Sequence, residues 1–223
     1  MPGTRDFTKE HPWRILRIMS EFVEGFEDLM SVQPAVSIFG SARTPESSPY
    51  YALARDVAAR FAKRGISVIT GGGPGIMEAA NRGAAEAGGV SVGLNINLPM
   101  EQTPNKYQNL SMDFRYFMAR KYMFVYHSMA FIIFPGGYGT MDELFEALTL
   151  IQTHRSPRFP VVLAGTKYWR KMLEFISETL LGEGCISPED LQLITTTDDP
   201  EEIVQAATPD IKARGGRPGL PPL

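Results

Sequence analysis

One stretch constrains this chain more than any other. Ala130 to Gln152, AFIIFPGGYGTMDELFEALTLIQ, reads as strand, glycine loop, helix. Ala130 to Phe134 is a continuous apolar run of the kind buried on both faces of a parallel sheet. Pro135 ends it, and Gly136, Gly137 and Gly139 let the backbone turn sharply and bring N–H groups close to a ligand. From Met141 the period becomes helical: Met141, Leu144, Phe145, Leu148 and Ile151 share a face, with Asp142, Glu143 and Glu146 on the others. An anion suits such a helix N-terminus. The same residues also read as a capping box, Thr140-x-x-Glu143. Capping accounts for Thr140 and Glu143 but not for three glycines after a buried strand, and the two readings are compatible.

The unit recurs along the chain. Ser67 to Thr70 feeds Gly71-Gly72-Gly73-Pro74-Gly75 and a helix opening Ile76-Met77-Glu78, and Ala35 to Phe39 feeds Gly40-Ser41-Ala42-Arg43-Thr44-Pro45 ahead of a helix from Tyr50 to Arg64. Sheets of this class bind ligands at the carboxyl ends of their strands, so repeated strand, loop and helix units predict an α/β domain with a nucleotide-like site. Val90 to Leu94 and Phe159 to Leu163 are further strands, and Tyr168 to Leu181 is a further helix. Leu191 to Thr195 and Pro200 to Ala207 close the domain as a short strand and a short helix. Trp13 to Leu29 has helical apolar spacing and predicts an amphipathic leader helix packed on the domain or on a partner subunit. The resulting organisation is an N-terminal helical extension over 1–34, one domain over 35–208, and a disordered Pro/Gly-rich tail over 209–223. Asn97 to Asn109 is a long connection, either a lid over the site or a plain surface loop.

Composition narrows the function classes. A net charge of −3 over 223 residues gives no global basic field, so nucleic acid is not an expected partner. Three histidines and one cysteine, Cys185, leave no set with metal-ligand spacing and no internal disulfide. No run reaches the length of a membrane span and the first residues lack an apolar signal core, so a cytoplasmic location without membrane partners is expected. Gly73-Pro74-Gly75-Ile76-Met77-Glu78 ends in Glu where a dinucleotide fingerprint needs Gly or Ala, and neither glycine loop is followed by Lys-Ser or Lys-Thr. Nicotinamide and Walker-type sites are therefore rejected.

Within Phe117 to His127, a helix apolar nearly all round, Arg120 and Lys121 stand out. Basic groups buried there need carboxylates or anions as partners, unless both heads reach solvent. Glu78 reads either as a ligand or as a first-turn acid complementing the helix dipole. Arg43, taken alone, reads as a solvated loop charge.

These residues together carry a resemblance. PGGYGTMDE resembles the PGGxGTxxE signature of the LOG family, the phosphoribohydrolases that activate cytokinins and were long labelled lysine decarboxylases. GGGPGIMEAANRGA resembles the second loop of its bacterial members, GSARTP the first loop, and Arg120-Lys121 the basic helix motif. The resemblance covers roughly Ala35 to Leu180. It implies a Rossmann-like, doubly wound, mainly parallel sheet with helices on both faces, and a homodimer or larger homo-oligomer. The implied reaction is hydrolysis of the N-glycosidic bond of a nucleoside 5'-monophosphate, needing no cofactor and no metal. Carried over by residue, Arg120 and Glu143 become the catalytic pair, Gly136, Gly137, Gly139 and Thr140 the phosphate cradle, and Glu78 a ribose-hydroxyl ligand. The matched loops and basic motif add Ser41, Arg43, Gly72, Gly73 and Lys121 to substrate binding. Met118 stands where plant-type members carry His. A carrier of molybdenum cofactor or of a nucleotide, sharing the fold and a similar glycine signature, is the alternative. The decarboxylase label gains little, because no pyridoxal phosphate site is recognisable.

Overall fold

The computed structural model describes residues 13–97 and 103–208, and its seven strands form one all-parallel sheet. The elements run α1 (Trp13–Leu29), β1 (Ala35–Phe39), α2 (Pro49–Lys63), β2 (Ser67–Thr70), α3 (Ile76–Glu86), β3 (Ser91–Ile96), β4 (Leu110–Phe114), α4 (Phe117–His127), β5 (Phe131–Ile133), α5 (Tyr138–Gln152), β6 (Val161–Leu163), α6 (Thr166–Glu174), β7 (Ile194–Thr196) and α7 (Pro200–Ala207). The spatial order is β4-β3-β2-β1-β5-β6-β7. Winding therefore reverses between β1 and β5, the crevice position at which sheets of this class hold ligands. The expected tail over 209–223 and residues 98–102 of the long connection lie outside the described residues.

Alternation along the strands builds two cores. Val36, Ile38, Val68, Ile132 and Val162 point to the face covered by α2, α3 and α7. Phe39, Ile69, Leu94, Phe131 and Ile133 point to the other face, beside Met123, Phe124, Leu144 and Trp169 of α4, α5 and α6. Every residue of β1, β2, β3, β5 and β6 is buried, as strands covered on both faces are. β4 was not foreseen. At the sheet edge, LSMDF buries only Met112 and Phe114, so it offers no long apolar run. Near the other edge the expected strand Leu191–Thr195 is mostly a 3-10 turn, Pro188–Leu193, with the ladder confined to Ile194–Thr196. The helix expected to reach Leu181 changes to π-helical turns over Phe175–Leu180. Among the described residues no helix is long and apolar enough to cross a membrane.

The leader helix is tied into the domain. Phe26 meets the rings of Tyr122 and Tyr126 edge-on, and Leu29 is fully buried. Buried Glu21 accepts from the N–H groups of Arg115 and Tyr116 at 2.9 and 3.1 Å. Tyr116 is the N-cap residue of α4 and has no side-chain cap of its own, so a carboxylate from α1 satisfies donors at the entry to α4. Glu21→Ala is expected to destabilise the fold by about 1–2 kcal/mol. Urea unfolding should show this as a lower midpoint with an unchanged slope.

Candidate active site

Three glycine-containing loops meet at the winding reversal. The Ser41 N–H donates to the Pro135 carbonyl at 2.9 Å, and the Ile76 N–H donates to the Ser41 carbonyl at 3.1 Å. The loops after β1, β2 and β5 are thereby stitched into one rim. Gly40 sits against the Ile76 side chain so closely that a Cβ there would overlap it. Gly75, at φ +69°, would drive a Cβ into the Ser41 carbonyl, so this crossing of loops needs a residue without a side chain.

Above the rim lies a cleft of about 660 Å3, lined by Ser41, Arg43, Gly71, Met77, Ile96, Phe117, Arg120, Phe124, Gly137, Tyr138, Gly139, Thr140, Asp142 and Glu143, among others. Its lining combines apolar side chains with the start of α5. That helix begins at Tyr138 with Gly137 as its N-cap, and no side chain caps it. The capping box is not formed: with the helix starting three residues before Met141, Thr140 is not the cap and Glu143 stands too far along to reach back. The Thr140 N–H turns back to the Gly137 carbonyl at 3.0 Å, and the first N–H groups of the helix, at Tyr138 and Gly139 beside the cleft, have no side-chain cap. A Cβ on Gly137 or Gly139 would meet nothing within 4 Å, and neither has a positive φ. Their missing side chains therefore serve no internal packing, and they leave space beside an uncapped helix end.

Glu143 is the chemically unusual group. It is buried, at 8 % exposure. Its Oε1 faces Lys121 Nζ at 3.4 Å, while its Oε2, also buried, has no hydrogen-bond partner among the described residues. Burial pushes its carboxyl up to about 7, with Lys121 and Arg120 pulling down and the like charges of Glu146 and Asp142 pushing up. Arg120 lies across the cleft floor. Its Nε donates to the Leu94 carbonyl at 2.8 Å, its Nη2 reaches the Gly71 carbonyl at 3.4 Å, and its guanidinium rests over the Phe124 ring, 5.3 Å from the centroid. Burial lowers its pKa to about 10, opposed by the Glu143 charge, so it is a cation throughout the neutral range.

Of the residues singled out from sequence, the cleft brings together Ser41, Arg43, Arg120, Gly137, Gly139, Thr140 and Glu143. Others stand apart. Glu78 accepts from the Tyr51 hydroxyl at 3.0 Å. The Gly72 and Gly73 carbonyls accept from the Asn105 side chain, and Gly72 O also from Gln108 Nε2. Gly136 O accepts from the Tyr168 hydroxyl at 2.7 Å. Lys121 is paired with Asp142, Glu143 and Glu146 and does not line the cleft. Met118 is 60 % exposed and does not line the cleft. The described part of the long connection, 103–109, thus buttresses the second glycine loop. Gly71, Phe117, Tyr138 and Asp142 are cleft residues that the sequence did not single out as such. Gly71, Tyr138 and Asp142 each neighbour one that it did, and Phe117 stands about one helical turn before Arg120, which was the available signal. Among the described residues no group of three or more His, Cys, Asp and Glu could hold a metal ion.

A family model described as "possible lysine decarboxylase" matches residues 77–207. The chain is 30% identical over 173 residues to a cytokinin riboside 5'-monophosphate phosphoribohydrolase of Mycobacterium tuberculosis, covering 75% of this chain and 90% of that one. It is 27% identical over 175 residues to an Arabidopsis thaliana protein of the same name, covering 76% and 80%. Among solved structures, a structural-genomics target is similar with a TM-score of 0.58 at 26% identity, over 77% of this chain and 96% of that one. The molybdenum cofactor carrier protein of Chlamydomonas reinhardtii is similar with a TM-score of 0.55 at 24% identity, over 78% and 95%, a likeness of fold alone.

Proposed function

The chain belongs to the LOG family, whose family model bears the lysine decarboxylase description, and from that membership we propose that it hydrolyses the N-glycosidic bond of a nucleoside 5'-monophosphate. Free base and ribose 5-phosphate are the products, and AMP or an N6-modified AMP is the substrate class. The observation that carries this reading is Glu143: a buried carboxylate with one oxygen unpartnered, in a cleft that also holds a fixed cation and an uncapped helix end.

The parts divide the substrate between them. The phosphate dianion suits the N-terminus of α5, where Gly137 and Gly139 leave room for close approach and Thr140 adds a hydroxyl. Phe117, Ile96 and Met77 give the base an apolar slot. As the glycosidic bond stretches, positive charge builds on the ribose, and an ionised Glu143 stabilises it and takes a proton from the attacking water. Arg120 cannot shuttle protons at neutral pH and instead stabilises negative charge on the departing base. The decarboxylase description gains no support from Lys121. A Schiff-base lysine needs a depressed pKa. Here burial works against the charge, but hydrogen bonds to Asp142 and Glu146 and the charge of Glu143 hold the pKa above the ordinary lysine value. We propose further that the working unit is a homo-oligomer, as the family implies.

The test is incubation with a panel of nucleoside 5'-monophosphates, an N6-prenylated one included, following free base by chromatography across pH. Base release is expected from at least one adenine nucleotide. kcat/KM should fall with acidification below an apparent pKa near 7, because Glu143 loses its charge there. No release from any member, together with tight retention of a pterin or a nucleotide, would replace the hydrolase with a carrier.

A further inference from the structure

Arg120 and Lys121 are adjacent on α4, yet they face different things. Arg120 lines the cleft; Lys121 does not. The Lys121 ammonium lies among carboxylates of α5, 2.8 Å from Asp142 Oδ2, 2.7 Å from Glu146 Oε2 and 3.4 Å from Glu143 Oε1. Its side chain is 16% exposed. An ammonium has three donors, and here three carboxylates from one turn of α5 surround it. Its charge is met by these carboxylates. The consequence for Glu143 is geometric first: Oε1 is engaged by Lys121, and Oε2 is left as the oxygen without a protein partner among the described residues.

We propose that Lys121 is a positioning residue for Glu143, clamping Oε1 so that an ionised carboxylate presents Oε2 to the substrate, and that it takes no part in holding the phosphate. The inference rests on the hydrolytic reading of the cleft. The charged groups facing Glu143 are Arg120 and Lys121 from α4 and Asp142 and Glu146 from α5, with Arg43 of the β1–α2 loop lining the same cleft. Without Lys121, two carboxylates would stand beside Glu143 with only Arg120 to oppose them, and ionisation would be deferred to higher pH. Without Glu146, a like charge is removed and ionisation comes earlier. The two changes therefore move Glu143 in opposite directions, which a simple loss of packing would not do.

The experiment compares wild type with Lys121→Met, Lys121→Arg and Glu146→Gln, reading both the pH profile of kcat/KM and the titration of carboxyl-labelled Glu143 by carbon-13 NMR. Lys121→Met is expected to move the acid limb and the NMR titration up by about one pH unit, a tenfold deficit at the acid end. Activity should return toward wild type at pH 9, with KM changed less than kcat. Lys121→Arg should restore most of the profile, and Glu146→Gln should move it down. Raised KM, weaker inhibition by inorganic phosphate and an unmoved profile in Lys121→Met would make Lys121 a phosphate ligand and overturn the proposal. An equal loss at every pH would make it a structural strut and overturn it too. If Lys121→Met does not fold, an acid limb unmoved by Glu146→Gln overturns the clamp and a downward shift supports it. If wild type hydrolyses no nucleotide, the hydrolase reading falls by itself. The NMR titration still decides the clamp, an upward shift in Lys121→Met supporting it and an unmoved titration overturning it.

Discussion

Glu143→Gln is expected to lower the rate of base release by about 10²–10⁴-fold while nucleotide binding changes little. Gln keeps the shape and one oxygen acceptor, but it can neither carry the negative charge that opposes a developing ribosyl cation nor accept a proton from water. A loss of this size belongs to the transition state, so kcat should fall and KM hold. Stability supplies a second readout with its own sign. The folded-state carboxyl is raised to about 7, so between the ordinary glutamate range and 7 the folded protein holds a proton that the unfolded chain has released. Stability drawn from this group is present at acid pH and is lost as pH rises through that window. At pH 8 the wild type carries a buried charge that Glu143→Gln does not, and the variant's Tm is expected to be no lower than wild type's. Calorimetry at pH 5.5 and pH 8 checks this. A variant within tenfold of wild-type activity, or one much less stable at pH 8, would return Glu143 to a packing role.

The two kinds of information in the chain differed in how plainly they could be read. Strands buried on both faces announce themselves as apolar runs, which is why β1, β2 and β5 and the loops that follow them were legible. β4 was not, because an edge strand needs only two buried residues. The start of α5 was misplaced for a related reason: Tyr138 and Gly139 are helical but exposed, so apolar spacing began only at Met141. The reach of side chains was the least legible part. Adjacent basic residues suggested a common role, yet helical geometry turns successive side chains by about 100°, and Arg120 meets the Leu94 and Gly71 carbonyls while Lys121 meets the carboxylates of α5. Glu78 had two readings in sequence, and the choice of Tyr51 as its partner depends on α2 packing against α3. The stitching of three loops through Ser41, Pro135 and Ile76 involves backbone groups far apart in sequence, which no local pattern encodes.

Arg120 carries the other large expected effect. Arg120→Gln should lower kcat/KM by about 10²–10³-fold, near the scale of removing one preorganised charge-stabilising donor. Arg120→Lys should recover little of this, although it restores the charge. The wild-type guanidinium is located by three features together: the Leu94 carbonyl taking its Nε–H, the Gly71 carbonyl near Nη2, and the Phe124 ring beneath it. A lysine ammonium has no fork to satisfy these while keeping a donor aimed at the substrate, and burial would press its pKa toward neutrality. A companion change separates position from charge. A Cβ on Gly71 would collide with the Arg120 guanidinium, so Gly71→Ala is expected to displace it and to lower kcat/KM by about tenfold or more with every charged group still present. Steady-state kinetics of the three variants beside wild type is the check. Near-wild-type activity in Arg120→Lys would mean that a mobile positive charge suffices. Full activity in Gly71→Ala would mean that the floor of the cleft does not set the position of the cation.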